Sequence, residues 1–513
     1  MIEDSRTPTQ KVAYLLLGLL IVYAVIRSIE AAAGKPFWYD EILTLTVSSL
    51  DSWTARLTAL RLPLDGQPPL FYWFEHLALR FSRNQEIALR LPSIIAFPVT
   101  LICVFVYLRK AAGEIVAFLS TFALLLTAVF QVYAVEARPY SMVVACFAFA
   151  LLCYQRVPSP LWVILLALSL ALAESLHYLS VLSIVPFGLA EVFVFSKTRR
   201  IRWQVWAALA AGAVPLLLQW KLLAINQAYY GAYFWAKFHY YYLPAAYGEY
   251  LGTTSRIGGA VFVVVFAGAI GALLWRRSAS TSASEANDEE LTSAVLLLSF
   301  AALPFIGHLS TTIVHAGFTP RYVLCTVLGL VLGFGFILAR SSQRAVMLFG
   351  IFVLAAVTID EIHFWRFFRQ DISQVRMSGV QFDRFIENAG YKDLPVVVLD
   401  ENHFLELVHY APDRLHSRLV LLTREPSPND MNFTDTMYRG IQLLRSYVPV
   451  QAYKWSDFIA ANGRFLVYEE WALTPVNWPT RDLVLESRSL RLLAADATQV
   501  LYLASPDDRT AEQ

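Results

Sequence analysis

Charge is scarce in this sequence of 513 residues: Asp, Glu, Lys and Arg make up 16% of it and leave a net charge of +1. Soluble domains carry about a quarter charged residues, so a purely soluble chain is excluded. Cysteine is scarcer still. Cys103, Cys146, Cys153 and Cys325 all fall in apolar runs and read as small buried hydrophobes, with no Cys-x-x-Cys pair and no disulfide framework. No basic arm or tail appears, so nucleic acid is not an expected partner. No Gly-rich phosphate loop opens a helix in the C-terminal part, which argues against nucleotide binding there. No small-residue cleavage site follows the first apolar run, so that run reads as a retained helix rather than a signal peptide. No internal repeat is visible.

What is present in quantity is hydrophobic: 57% of all residues are hydrophobic and 14% of all residues are aromatic, with a mean hydropathy of +0.50. A membrane helix needs about 20 mainly apolar residues. Eleven such runs lie near 12–30, 86–108, 112–132, 139–155, 160–175, 178–196, 204–224, 257–275, 292–314, 321–339 and 344–362, the fifth and sixth joined without a clear turn. Cytoplasmic loops carry an excess of Lys and Arg. With a cytoplasmic N-terminus (Arg6, Lys11), every second loop is basic: Arg109-Lys110, Arg156, the 197–202 loop with four basic residues, Arg276-Arg277, then Arg340 with Arg344. The expected fold is therefore a polytopic α-helical membrane protein of about eleven transmembrane helices. The odd count puts everything after residue 365 outside the cytoplasm.

That tail reads as a small extracytoplasmic α/β domain. The runs 394–399, 418–422 and 464–468 have strand character, and 402–410 and 436–446 have helical spacing. Strands alternating with helices suggest a largely parallel sheet. The expected division is a transmembrane domain over 1–368, with long outer loops at 33–85 and 226–256, and a soluble domain over 369–513. Ser278 to Glu290 reads as a flexible cytoplasmic loop.

Three outer-facing stretches carry the chemistry and are expected to build one active site: Phe37-Trp38-Tyr39-Asp40-Glu41, Asp65-Gly66-Gln67-Pro68-Pro69-Leu70-Phe71-Tyr72 and Glu136-Ala137-Arg138-Pro139-Tyr140. Asp40 and Glu41 diverge by about 100° if helical, so one can face a cavity while the other is tied down. Arg138 sits at the membrane boundary, where a guanidinium costs a few kcal/mol unless paired, and Arg321 in Pro320-Arg321-Tyr322 is placed alike. Two such arginines suit a lipid phosphate; snorkelling to headgroups is the alternative. His177, with Glu174 before it, and His308 with His315 have spacings that permit a divalent metal, although a hydrogen-bonded helix histidine is commoner. The aromatic loop from Tyr229 to Tyr247 reads either as an interfacial belt or as a lid for a sugar ring or lipid tail.

These stretches, with Ala88-Leu89-Arg90-Leu91-Pro92-Ser93 and His177-Tyr178, resemble in order and orientation over residues 10–365 the GT-C superfamily of integral membrane glycosyltransferases. The kinship is with the branch holding lipopolysaccharide-core galacturonosyl transferases, the lipid A aminoarabinose transferase and the protein O-mannosyltransferases. The resemblance implies a polyprenyl-phosphate sugar donor, Asp40 as catalytic carboxylate with Glu41 beside it, and Arg138, with Arg321, at the donor phosphate. Tyr39, Asp65, Tyr140, His177 and Tyr178 are the implied substrate contacts. Gln67 departs from the pattern, since relatives often have His before the two prolines.

The chemistry agrees. Nucleotide sugars are not supplied outside the cytoplasm, so an outward-facing transferase needs a sugar delivered on lipid. Its phosphate leaving group needs positive charge and the acceptor hydroxyl of an envelope lipid, glycan or protein needs a base, which implies direct displacement with inversion. A ligase moving a whole glycan fits equally. A lipid or sugar transporter would show charged or Gly/Pro-broken segments near mid-membrane and related halves.

Overall fold

The computed structural model describes residues 7–231, 234–236, 240–251, 285–314, 317–425, 434–470, 486, 488–496 and 499–506. The expected eighth apolar run, most of the loop before Glu290, Tyr233 and His315 lie outside them. The chain divides into two compact units. One is helical and comprises residues 1–33, 67–224 and 236–366; the other gathers 34–66, 225–235 and 367–513.

In the helical unit, five helices are long and apolar enough to cross a membrane: Pro8–Gly34, Gln85–Leu126, Tyr178–Thr198, Trp203–Tyr230 and Gln343–Arg366. A sixth is the bent pair Asp288–Ala301 and Leu303–Ser310, with 54° between its halves, and Tyr140–Tyr154, Pro160–Leu176 and Thr326–Leu338 are shorter apolar helices. Ten of the eleven apolar runs thus fall on helices. The long element Gln85–Ala123 absorbs two of the expected runs, but Gly113 interrupts it with φ 76°. At 1.5 Å per residue its 39 residues would span about 58 Å, nearly twice a hydrocarbon core. Gly113 supplies the left-handed backbone that only glycine adopts without strain, next to the basic Arg109-Lys110. The fifth and sixth runs are separated by His177, whose extended backbone (φ −153°, ψ 121°) ends Pro160–Leu176 before the 3₁₀ turn Tyr178–Ile184.

The basic connections converge. Lys110, Gln155, Lys197, Arg202 and Arg340 line one cavity of about 450 Å³ together with Asp288 and Glu289, so among the described residues four of the loops that alternate as basic in the sequence share one end of the helical unit. Arg202 is ion-paired there with the buried Glu191, and Tyr154 donates a hydrogen bond to Glu191 at 2.7 Å.

In the second unit, a six-stranded sheet has the order β3-β2-β1-β4-β6-β5. β1 (Val396–Val398), β2 (Leu419–Thr423), β3 (Gln451–Lys454) and β4 (Phe465–Glu470) are parallel, and β6 (Gln499–Pro506) joins β4 antiparallel with β5 (Arg488–Ala495) outside it. One face buries Val397, Leu399, Val420, Leu422, Phe465 and Val467 against Trp455 and Phe458. Continuous apolar runs such as Val396-Val397-Val398 are what a strand covered on both faces requires. The helices Glu401–Tyr410 and Thr436–Leu444 follow β1 and β2. Into this unit also fold the first-loop helices Tyr39–Ser48 and Trp53–Arg61.

Candidate functional site

The second unit holds the carboxylates. Pro36 and Phe37 lead into the helix Tyr39–Ser48, whose cap is Trp38 in extended conformation. The Trp38 carbonyl accepts from the Glu41 and Ile42 amides (2.9 and 3.1 Å), and its own amide donates to Glu41 Oε2 at 3.4 Å. Glu41 is fully buried, so of the adjacent pair it is the one tied to the backbone, satisfying a helix-start amide as a capping box does. Asp40 is half-buried in the first helical turn, where the helix dipole favours a carboxylate. The Thr44 hydroxyl donates to the Asp40 carbonyl at 3.0 Å and lies 3.4 Å from Asp65 Oδ2. Asp65 is buried and its Oδ1 accepts from the Gly66 amide at 2.7 Å. Asp40, Asp65 and Glu401 all bear electrostatically on the buried Tyr39 phenol, whose hydroxyl donates to the Met437 carbonyl at 2.8 Å. Burial, Tyr230 and these carboxylates push that phenol well above its ordinary range. Glu401 itself is pushed up to about 8, by burial first and by Asp400 and Asp435 second.

The helical unit holds the cations. Arg138 is 4% exposed between the 3₁₀ turn Tyr133–Val135 and the helix Tyr140–Tyr154. Ser93 fixes its backbone, donating to the Arg138 carbonyl at 3.1 Å, and Ser141 donates back to the Ser93 carbonyl at 3.3 Å. Arg321 stacks over the Tyr140 ring, 5.7 Å from its centroid. The His177 ring lies between Tyr140 (5.5 Å) and Tyr322 (5.3 Å). Burial first, and the Arg138 and Arg321 charges second, push His177 down to about 3, so the ring is neutral. Tyr133 stacks edge-on against Tyr140 at 5.2 Å and donates to Glu249 at 3.2 Å. Burial raises the Glu249 carboxyl, with Tyr133 and Arg321 pulling it back. Tyr250 donates to the Pro320 carbonyl at 2.7 Å and so anchors the turn carrying Arg321. Arg138 and Arg321 thus both bear on the His177 imidazole, with Tyr133, Tyr140 and Tyr322 around it and the Glu249 carboxyl near Arg321; two guanidinium groups can meet a planar or tetrahedral anion.

The sequence-derived residues thus fall into two groups, Tyr39, Asp40, Glu41 and Asp65 in one unit and Arg138, Tyr140, His177, Tyr178 and Arg321 in the other. Tyr178 is buried at the start of its 3₁₀ turn. Glu174, paired with His177 as a metal candidate, accepts from Ser180 at 2.6 Å, and His177 faces aromatic rings. Among the described residues no group of three His, Cys, Asp or Glu is arranged to hold a metal ion. Arg90, part of the family-like motif, is fully buried and donates to the Ala32 carbonyl at 2.8 Å, a structural duty. Sequence reasoning missed Tyr133, Glu249, Tyr322, Glu401, Met437 and Gly440; only Tyr322, beside Arg321, stood within a recognised motif.

Residues 66–225, which carry Arg138, Tyr140 and His177, match the family described as dolichyl-phosphate-mannose-protein mannosyltransferase. No curated protein matches the chain by sequence. Two solved structures of ArnT from Cupriavidus metallidurans are similar along nearly its whole length. The apo state is 16% identical, with 94% of this chain and 97% of that chain covered and a TM-score of 0.55. The state bound to undecaprenyl phosphate is 14% identical, with 97% and 98% covered and a TM-score of 0.52. The chain thus shares its fold with these two ArnT structures, and residues 66–225 are similar to the mannosyltransferase family.

Proposed function

We propose that this chain transfers a sugar from a polyprenyl-phosphate carrier to a hydroxyl on a cell-envelope lipid, glycan or protein, on the extracytoplasmic side of a bacterial inner membrane. The observation that carries the reading is the pair Arg138 and Arg321 around neutral His177. Such a receptor suits a phosphate leaving group, and ArnT, whose fold this chain shares, has been seen bound to undecaprenyl phosphate. In the proposed step the acceptor oxygen forms the new bond to the anomeric carbon and gives its proton to Asp40. The bond from that carbon to the carrier phosphate breaks, and its electron pair leaves with the phosphate toward the arginines. One displacement implies inversion. Glu41 holds the turn that presents Asp40 rather than meeting substrate. Asp65, Tyr140 and Tyr178 are the proposed substrate contacts. The full complement of eleven spans, with residues 369–513 extracytoplasmic, belongs to the same proposal.

The test is transfer in nanodiscs, with polyprenyl-phosphate-linked sugar as donor and envelope extract as acceptor. Anomeric configuration is read by NMR. Sugar incorporated with inversion, dependent on the lipid donor, is the expected result. Retention of configuration, or transfer from a soluble nucleotide sugar instead, would overturn the reading.

A further inference from the structure

Tyr39 precedes the proposed base by one residue, yet its ring points into the C-terminal part of its unit. It is 5% exposed, and its hydroxyl reaches the Met437 carbonyl, within the helix Thr436–Leu444, at 2.8 Å. That approach is open only because residue 440 is glycine. A Cβ there would overlap the Tyr39 hydroxyl, whereas the ring carbon Cζ would stand 3.5 Å off and the Tyr230 hydroxyl 3.6 Å off. Glycine inside a helix gives up stability relative to alanine, so a packing reason is needed, and the phenol supplies it. The same helix grips a second segment: Arg439 donates to the Tyr229 carbonyl at 3.0 Å, and Trp235 donates to Thr436 at 3.2 Å. Tyr230 in turn donates to the Pro63 carbonyl at 2.9 Å, two residues before Asp65. On the other flank of Asp40, the amide of fully buried Phe37 donates to the Tyr410 hydroxyl at 2.8 Å, and the Phe37 ring packs on His409. Asp40 is thus bracketed at positions 37 and 39 by two helices of the C-terminal α/β part.

We infer that the C-terminal part is a positioning device for the Asp40 carboxylate, working through a clasp in which the Tyr39 phenol sits on the bare backbone of Gly440. The inference rests on the reading of Asp40 as base. A methyl group at 440 must push the phenol away, and the peptide it moves is the one joined to Asp40. A misplacement of about 1 Å at a reacting group can cost on the order of 100-fold.

The experiment compares Gly440→Ala, Tyr39→Phe and the double variant with the parent, in nanodiscs with lipid-linked donor. Gly440→Ala should lower kcat by about 10- to 100-fold with the donor KM nearly unchanged. Tyr39→Phe loses one hydrogen bond and should be milder. The double variant should recover to the level of Tyr39→Phe, because the overlapping oxygen is gone. A double variant no better than Gly440→Ala, or an alanine variant with the parent's kcat, overturns the clasp. Asp40→Asn measured alongside separates the two ideas. Its full activity together with the recovery would leave the clasp and remove the base, whereas its loss together with a fully active Gly440→Ala would do the reverse.

Discussion

Arg27 and Arg138 are equally hidden, 3% and 4% exposed, but their surroundings differ in kind. Arg27 meets the Glu361 carboxylate at 3.5 Å, donates to Gln131 at 2.7 Å, and lies over Phe364 and Phe130. Glu361 also accepts from Tyr23 at 2.5 Å, and Gln131 donates to Asp360 at 2.6 Å. That network ties Pro8–Gly34 to the helix beginning at Gln343, and its charge is consumed inside the protein. Arg202, paired with Glu191, is of the same kind. Arg138 and Arg321 instead both bear on the His177 imidazole, Arg321 also lying over the Tyr140 ring and acting on the Glu249 carboxyl. A guanidinium in a low-dielectric setting is costly unless an anion is near. Where a carboxylate meets the guanidinium directly, as Glu361 meets Arg27 and Glu191 meets Arg202, the arginine is architecture; the role proposed for Arg138 and Arg321 is to meet a further anion, the donor phosphate.

The comparison is broken most directly at the anion's other end. Asp40→Asn keeps the size of the side chain and removes its ability to take a proton, so transfer should fall by about two orders of magnitude or more. Donor binding and folding should be kept. Full activity would remove Asp40 from the mechanism, and loss confined to Glu41→Gln would move the role to its neighbour. Next comes Arg138→Ala, which should severely weaken donor binding or turnover, with Arg138→Lys recovering only part, because lysine lacks the two-pronged planar geometry. Normal kinetics in the alanine variant would place Arg138 with the structural arginines. Arg27→Met should show the opposite profile. It strands Glu361 and should cost about 3–5 kcal/mol of stability, seen as a lower melting temperature, with the kcat of folded protein kept.

The smallest effect is expected at Glu401. Its pKa is raised from 4.5 to about 8, so the folded state holds a proton that the unfolded chain releases. Stability is then greatest at low pH, declines from 4.5 to about 8, and is flat above. Glu401→Gln, which cannot ionise, should melt higher than the parent above about pH 9 and alike below about pH 4. Parallel melting curves across the range would show that Glu401 is solvated.

How far this was legible in the sequence varies with the range of the interaction involved. Apolar runs report membrane helices because burial in lipid is a local, length-dependent property, and the breaks at Gly113 and His177 sit at the edges of such runs. β1, β2 and β4 were visible as apolar runs. β3 and β5 were not, since both are sheet edges and Ala452 is the one residue of the two that is buried. Asp40 and Arg138 stood out because motifs put unusual charge beside aromatics. The role of Glu41 as a cap needed only its own turn. Tyr410 and Met437 lie 373 and 398 positions from the residues they hold, and no periodicity reaches that far. The grouping of residues 34–66 with 367–513 was hidden for the same reason: the two stretches lie far apart in the chain, and the expected division kept the loop 33–85 with the transmembrane domain.

That 398-residue separation has a consequence in time. Tyr39 leaves the ribosome early, and the helix that receives its hydroxyl is translated roughly 20–80 s later at ~5–20 residues per second. Throughout that interval the Phe37–Asp40 strip has been made and the helix that receives Tyr39 has not. On the clasp inferred above, a chain that terminates before Gly440 would carry Asp40 without the seat that places it, so a late-made helix would decide whether an early-made turn is set.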